Sequence, residues 1–299
     1  MIEVCSVTKK FGDFTAIQDL SLSVPKGAIY GLVGYNGAGK TTLLKTVSGV
    51  YKPEGGEVKI NGENIFDNAK QKAKMFYVPD DLYFQPYASM DKMAHFYNGY
   101  YANFDMEEFK KLASVFGLNT TKRINGFSKG MQRQAEIVLA MSTNPEIILL
   151  DESFDGLDPQ KRAIIKNLLN EYMAEREVSI IISSHNLHEL EDLCDHVGLI
   201  NGKNIALDGS VADLSKDKAK FRLLFDHPVT KEDFVDVKLH TFTEDGRLIT
   251  IFADGNVDEV KTKLEAMKPL LLERRNLTLE EIFLDEMEGL DYDFSKIFS

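Results

Sequence analysis

Apolar positions along this chain fall into two patterns. Ile2-Glu3-Val4 and Leu20-Ser21-Leu22-Ser23-Val24 alternate apolar with polar residues, the period of a strand with one buried face. Residues 28–33, Ile147-Ile148-Leu149-Leu150 and the run around Ile180-Ile181-Ile182 are instead continuously apolar. Such runs suit strands buried on both faces, as in a parallel sheet covered by helices. The stretches 58–65 and 199–205 each hold an Asn-Gly pair and predict hairpins turning at Asn61-Gly62 and Asn201-Gly202. Residues from about 85 to 135 are helix-like, and this region begins with Tyr83, Phe84, Tyr87, Phe96, Tyr97, Tyr100, Tyr101 and Phe104.

After Leu214 the pattern changes. Residues 215–220 are polar and read as a linker. Strand-like 221–225, a hairpin around Asp245-Gly246, a helix over 257–267, Leu270-Leu271-Leu272 and a final helix from Leu279 predict a small α+β appendage. The expected organisation is therefore a large domain over 1–215 and an accessory domain over 216–299.

Composition narrows the function classes. The 299 residues carry a net charge of −12 with no dominant basic stretch, which argues against binding a nucleic-acid backbone. No 18-residue apolar run occurs, so neither a membrane-spanning helix nor a signal peptide is expected, and any membrane work falls to partner chains. Two cysteines, Cys5 and Cys194, are too few for a disulfide framework and read as reduced thiols.

The chemistry starts at Gly34-Tyr35-Asn36-Gly37-Ala38-Gly39-Lys40-Thr41-Thr42, between a predicted strand and a predicted helix. Glycines let backbone N–H groups turn onto a phosphate, Lys40 reaches the β- and γ-phosphates, and the Thr41 hydroxyl suits Mg²⁺. A Gly-rich structural turn leaves the Lys40-Thr41 pair unexplained. The loop residues Asn36, Gly37, Ala38, Gly39, Lys40, Thr41 and Thr42 are the expected nucleotide contacts. Downstream, the apolar run 147–150 ends in Asp151-Glu152. A carboxylate ending a buried strand needs a cation, so Asp151 is the expected Mg²⁺ partner, and Glu152 is placed to polarise an attacking water. Between these motifs, Phe127-Ser128-Lys129-Gly130-Met131-Gln132-Arg133 reads as a helix start, with Ser128 as N-cap and Gly130 as a bare N–H facing an anion.

In this order the motifs resemble those of the nucleotide-binding subunits of ABC (ATP-binding cassette) transporters. The resemblance spans roughly residues 1–215 and implies an α/β P-loop cassette: a RecA-like core, an antiparallel β edge and a helical lobe of about 85–135. It further implies that Phe11 stacks on adenine, that Asp155-Gly156-Leu157-Asp158 relays contacts between two opposed cassettes, and that His185 touches the γ-phosphate. ATP and Mg²⁺ are the implied ligands. The implied catalytic groups are Glu152, His185 and Lys40, with Ser128 and Gly130 covering the γ-phosphate of a partner cassette, and Thr41, Asp80 and Asp151 serving the metal.

Departures from the family pattern are local. Asp80, in Tyr77-Val78-Pro79-Asp80-Asp81, stands where Gln or Glu is usual, and Asp81 is an alternative to it. Ser153 and Phe154 replace a frequent Pro-Thr, and Tyr35 replaces Pro. The segment Phe127-Ser128-Lys129-Gly130-Met131 resembles a variant of the family's signature motif, and this signature variant and the tail around Leu277-Thr278-Leu279 resemble those of exporters of drugs, peptides or toxins. The expected function is an ATPase energising such an exporter from the cytoplasmic face of the plasma membrane. Separate permease subunits and a second copy of the chain are the expected partners, with a heterodimer as the other possibility and no nucleic acid. The alternatives are an importer ATPase and a soluble ABC protein. Tyr83, Phe84 and Tyr87 are expected to help form the permease socket.

Overall fold

The computed structural model describes residues 1–286 apart from residues 192 and 217. The chain divides after Asp208 into two compact units. In the first, β1 (Ile2–Phe11), β2 (Phe14–Val24), β3 (Ile29–Val33) and helix α1 (Lys40–Val47) lead to β4 (Gly55–Ile60) and β5 (Glu63–Asn64). Then come α2 (Ala69–Lys72), β6 (Met75–Val78), α3 (Met90–Asn98), α4 (Met106–Val115) and α5 (Lys129–Ser142). The unit continues with β7 (Ile147–Asp151), α6 (Pro159–Glu175), β8 (Ser179–Ser184), α7 (Leu187–Leu190), β9 (His196–Asn201) and β10 (Asn204–Ser210), whose last two residues lie past the division. The second unit holds α8 (Val211–Leu214), β11 (Lys218–Leu224), β12 (Leu239–Asp245), β13 (Leu248–Asp254), α9 (Val257–Ala266), β14 (Leu271–Arg275) and α10 (Leu279–Glu286).

The continuously apolar runs become the centre of a sheet ordered β10-β9-β3-β8-β7-β6, where β6, β7, β8, β3 and β9 pair in parallel. Every residue of β3, β7 and β8 is buried, which is why these segments have no polar alternation. The alternating N-terminal strands build an antiparallel sheet ordered β2-β1-β4-β5. Its apolar face (Ile2, Val4, Val7, Leu20, Val58 and Ile60) forms one core cluster with Leu43, Leu44 and Val47 of α1.

One hairpin turns as expected: Asn61 and Gly62 both have positive φ, 51° and 82°, as a type I′ turn requires. In the other the turn lies one residue further on. Asn201 is the last residue of β9, and the positive φ values are at Gly202 and Lys203. The expected linker is also partly strand: residues 218–220 open β11 with alternating burial, because Ala219 packs into the second unit's core.

The helical lobe packs α3 and α4 against α5. Phe76, Tyr97 and Tyr101 form an aromatic cluster there, with Phe76–Tyr97 centroids 5.2 Å apart. Glu136 of α5 is buried beside it. One oxygen accepts from the Tyr97 hydroxyl at 3.4 Å, and Oε2 has no hydrogen-bond partner. Burial pushes this carboxyl up to about 7, against weaker opposing effects of the Tyr97 hydroxyl and the Arg133 charge.

Candidate nucleotide site

Glycine at 39 is a geometric requirement of the phosphate loop. Its φ is 109°, and a Cβ there would lie 2.8 Å from Ile17 and 3.1 Å from the Ala16 carbonyl. The loop therefore lies against β2 and aims the first turn of α1, starting at Lys40, into a cavity of about 550 Å³ at the carboxyl ends of the parallel strands. Free N–H groups and the positive end of the helix dipole meet there, the arrangement that binds phosphate.

Glu152 is the centre of the site. It follows directly on β7 with φ at +45°, a left-handed conformation that costs a non-glycine residue about 1–2 kcal/mol. The turn directs its carboxylate at Lys40, with Nζ–Oε1 at 3.0 Å, and at His185, with Nδ1–Oε2 at 2.9 Å. The Glu152 N–H donates to the Ser183 hydroxyl at 3.0 Å, which ties the turn to β8. Lys40 also donates to the carbonyls of Gly34 and Tyr35, at 2.5 and 3.2 Å. A nearly buried ammonium thus has an anion and two carbonyl oxygens around it, and a phosphate approaching it would compete with Glu152.

Asp151 is fully buried one residue earlier. Its two oxygens accept from the Ser183 hydroxyl at 2.7 Å and from the Tyr77 hydroxyl at 2.9 Å. Burial and the adjacent Asp151 charge push the Tyr77 phenol well above its ordinary range, so it stays a donor. Among the described residues no three His, Cys, Asp or Glu side chains form a metal cage. Mg²⁺ does not need one: a threonine hydroxyl, one or two carboxylates, phosphate oxygens and water make up the usual hard-oxygen set. Thr41 and Asp80 at the cavity, with Asp151 at the end of β7, fit that set.

Most expected residues converge. Phe11, Asn36, Gly37, Gly39, Lys40, Thr41, Thr42, Asp80, Glu152 and His185 all line this one cavity. Ala38 packs into the core beneath it, and Asp151 lies behind it. Of the two candidate aspartates, Asp80 lines the cavity and Asp81 does not. Ser128 and Gly130 stand apart from it. Ser128 does cap α5, accepting from the Met131 N–H at 3.3 Å, and a Cβ on Gly130 would lie 3.5 Å from Leu157. Phe84 departs from its expected place: it is 5% exposed and belongs to the core, because the chain turns it inward between Tyr83 (82% exposed) and Tyr87 (64% exposed).

Several neighbours were not anticipated. Phe14 and Ala16 line the cavity beside Phe11, and Phe11 and Phe14 face each other across the β1–β2 hairpin. Asp155, expected only in the loop that relays contacts between cassettes, also lines it. Arg133 of α5 donates to the main-chain carbonyls of Pro79 and Asp80 and lies 3.5 Å from the Asp80 carboxylate. Burial raises the Asp80 carboxyl, with Arg133 acting against the rise. The two-residue gap between Phe11 and Phe14, holding Gly12, was a readable sign of a hairpin that pairs two aromatics.

Comparison with known proteins agrees with this geometry. Residues 17–155 match the ABC transporter family model. The ABC transporter ATP-binding protein YtrB of Bacillus subtilis is 27% identical over 289 residues, 97% of this chain and 99% of that one. The bacitracin transport ATP-binding protein BcrA of Enterococcus faecalis is 31% identical over 228 residues, 74% of this chain and 73% of that one. The methionine import ATP-binding protein MetN 1 of Listeria monocytogenes aligns over 326 positions at 27%, covering 100% of this chain and 96% of that one. A solved ATP-binding subunit of an ABC transporter superposes with a TM-score of 0.67 at 25% identity, over 72% of this chain and 92% of that one. A phosphate loop, a strand-end carboxylate pair and a strand-end histidine gathered at one cavity, together with these likenesses, mark an ATPase that uses ATP and Mg²⁺: the chain belongs to the family of ABC transporter ATP-binding subunits.

Proposed function

We propose that the chain energises an exporter as a homodimer, each copy's Ser128 and Gly130 completing the nucleotide cavity of the other. The reading rests on the geometry at Glu152, whose carboxylate is held between Lys40 and His185 inside the cavity. Phe11 and Phe14 hold the base, and the α1 N–H groups with Lys40 hold the phosphates. A γ-phosphate at Lys40 takes over that cation, which frees Glu152 to orient water and accept its proton. The water oxygen attacks the γ-phosphorus in line, the bond to the β–γ bridging oxygen breaks, and His185 stabilises the transferred phosphoryl charge. Thr41, Asp80 and Asp151 would hold Mg²⁺, which neutralises charge on the β- and γ-phosphates. Loss of the bridging phosphate reopens the dimer.

Ser128 and Gly130 lie on a capped helix end outside their own chain's cavity, which supports a site shared between two copies. The signature variant supports export from the cytoplasmic face of a membrane, with permease subunits docking near Asp80, Tyr83 and Tyr87, and the bacitracin transport relative supports an antibiotic peptide as the class of cargo. The methionine import relative is the specific reason to keep import as the second reading. No helix among the described residues is long and apolar enough to cross a membrane, and both readings assign the membrane passage to permease chains.

The test compares wild type with Glu152→Gln. The variant should bind ATP, form a closed dimer in light scattering and lose hydrolysis by about 10²–10⁴-fold, the usual contribution of a general base. Hydrolysis at the wild-type rate removes Glu152 from the role. ATP binding without dimer closure removes self-pairing. Inside-out vesicles holding the chain with its permeases should accumulate substrate on adding ATP, whereas ATP-driven release of preloaded substrate would make it an importer.

A further inference from the structure

Strand β8 ends in two fully buried serines that serve different partners. Ser183 bonds to Asp151 and Glu152 at the end of β7. Ser184 turns to α7 instead. Its hydroxyl lies 2.7 Å from Glu189 Oε2 and 3.1 Å from the Asn186 carbonyl, and it accepts from the Asn186 N–H at 2.9 Å. A hydroxyl has one proton to donate, and the closer, charged acceptor takes it. Glu189 thus sets the hydroxyl's orientation and leaves its lone pairs for the Asn186 N–H. The turn closed in this way carries His185, whose Nδ1 is 2.9 Å from Glu152.

Glu189 is itself buried, on a short helix that Leu187 and Leu190 already anchor in the core. A carboxylate is costly there unless its contacts offset the burial. Its other oxygen, Oε1, meets Arg162 Nη2 of α6 at 3.1 Å, and the Nε of that guanidinium is buried without a hydrogen-bond partner. One turn along the same face of α6, Lys166 donates to the Glu191 carbonyl at 2.7 Å. Two side chains of α6 therefore grip the segment that follows His185. The start of α6 is fixed by Asp158, which accepts from the Lys161 N–H at 2.9 Å as its N-cap. Asp158 ends the loop 155–158, and Asp155 of that loop lines the nucleotide cavity.

We propose that Glu189 is a positioning residue for ATP hydrolysis: it bridges Ser184 and Arg162, holds His185 against Glu152, and joins the histidine turn to the helix that follows the 155–158 loop. This role depends on that of His185 in the proposed mechanism. A shift of α6, such as a partner's contact on the 155–158 loop would produce, reaches His185 through this one carboxylate. Glutamine at 189 keeps the size but not the bridge. Its carbonyl oxygen goes to the Arg162 cation, its amide nitrogen then faces Ser184, and the hydroxyl is released to donate to the Asn186 carbonyl.

The test sets Glu189→Gln beside His185→Ala and their combination, all in the full chain. Glu189→Gln should keep the Kd for ATP within about twofold and lower kcat about tenfold or more. That loss should vanish in the His185→Ala background, where nothing is left to position. An undiminished kcat, or the same loss with and without His185, overturns the proposal. The imidazole nitrogen resonances of His185, identified by their absence from His185→Ala, should shift in Glu189→Gln. Hydrolysis at the wild-type rate by His185→Ala overturns the role of His185 and the catalytic part of this proposal with it. Unmoved resonances beside a slow His185→Ala overturn the positioning role alone. If Glu189→Gln fails to fold, Glu189→Met combined with Arg162→Met leaves no unpaired buried charge and should show the same loss.

Discussion

Replacing Glu136 by Gln keeps the side chain's size and its carbonyl acceptor for Tyr97 while removing the titratable proton. In the folded chain burial raises this carboxyl from 4.5 to about 7. Tyr97 and Tyr101 of the neighbouring segment and Arg133 on the same helix are the polar groups around it. Between those two values the folded state holds a proton that the unfolded state has lost, so stability falls as pH rises through this window. A shift of this size corresponds to about 3 kcal/mol at full development, with the penalty complete above pH 7 and absent well below 4.5. The stability advantage of Glu136→Gln over wild type should therefore grow by about 2–3 kcal/mol between pH 5 and pH 8.5, or about 5–10 °C in Tm. The chain has no tryptophan, so urea and thermal unfolding are best followed by far-ultraviolet circular dichroism. Parallel wild-type and variant stabilities across that range would refute the reasoning and mean that the carboxylate ionises in place.

Two further outcomes follow from the site and the lobe. Phe14→Ala should weaken ATP binding about five- to hundredfold, the range for losing one base–aromatic stack, with little change in the hydrolysis rate at saturation; an unchanged Kd would remove Phe14 from the base contact. Phe84→Ala should destabilise the chain by about 3–5 kcal/mol as a core truncation, while Tyr83→Ala should stay within about 0.5 kcal/mol and instead impair permease-stimulated hydrolysis. Equal unfolding midpoints for these two variants would contradict their opposite burial.

What could be read along the chain followed physical rules with a local period. The buried strands β3, β7 and β8 were visible because a strand covered on both faces has no polar positions to break the run. The phosphate loop and the carboxylate pair were visible because each chemical role sits within a few residues. Contacts made across strands and lobes were not. Nothing in the local sequence marks Ser183 and Tyr77 as the partners of Asp151, since they come from β8 and β6 on either side of β7. Phe84 was misplaced for the same reason. An aromatic-rich stretch does not show which rings turn inward until α3, α4 and α5 enclose some of them. The Asn201-Gly202 turn shifted by one residue because strand pairing set where β9 ended.

The contact made by Arg133 bears on how freely position 80 can vary. Its guanidinium donates to the main-chain carbonyls of Pro79 and Asp80, which every amino acid supplies, and lies 3.5 Å from one oxygen of the Asp80 carboxylate. The attachment between the signature helix and this loop is thus largely indifferent to the side chain at 80. Gln or Glu in place of Asp80 would therefore change what faces the cavity and leave both main-chain bonds from Arg133 in place. A tie made to backbone lets the side chain at the cavity change without loosening the hold of the helix on the loop.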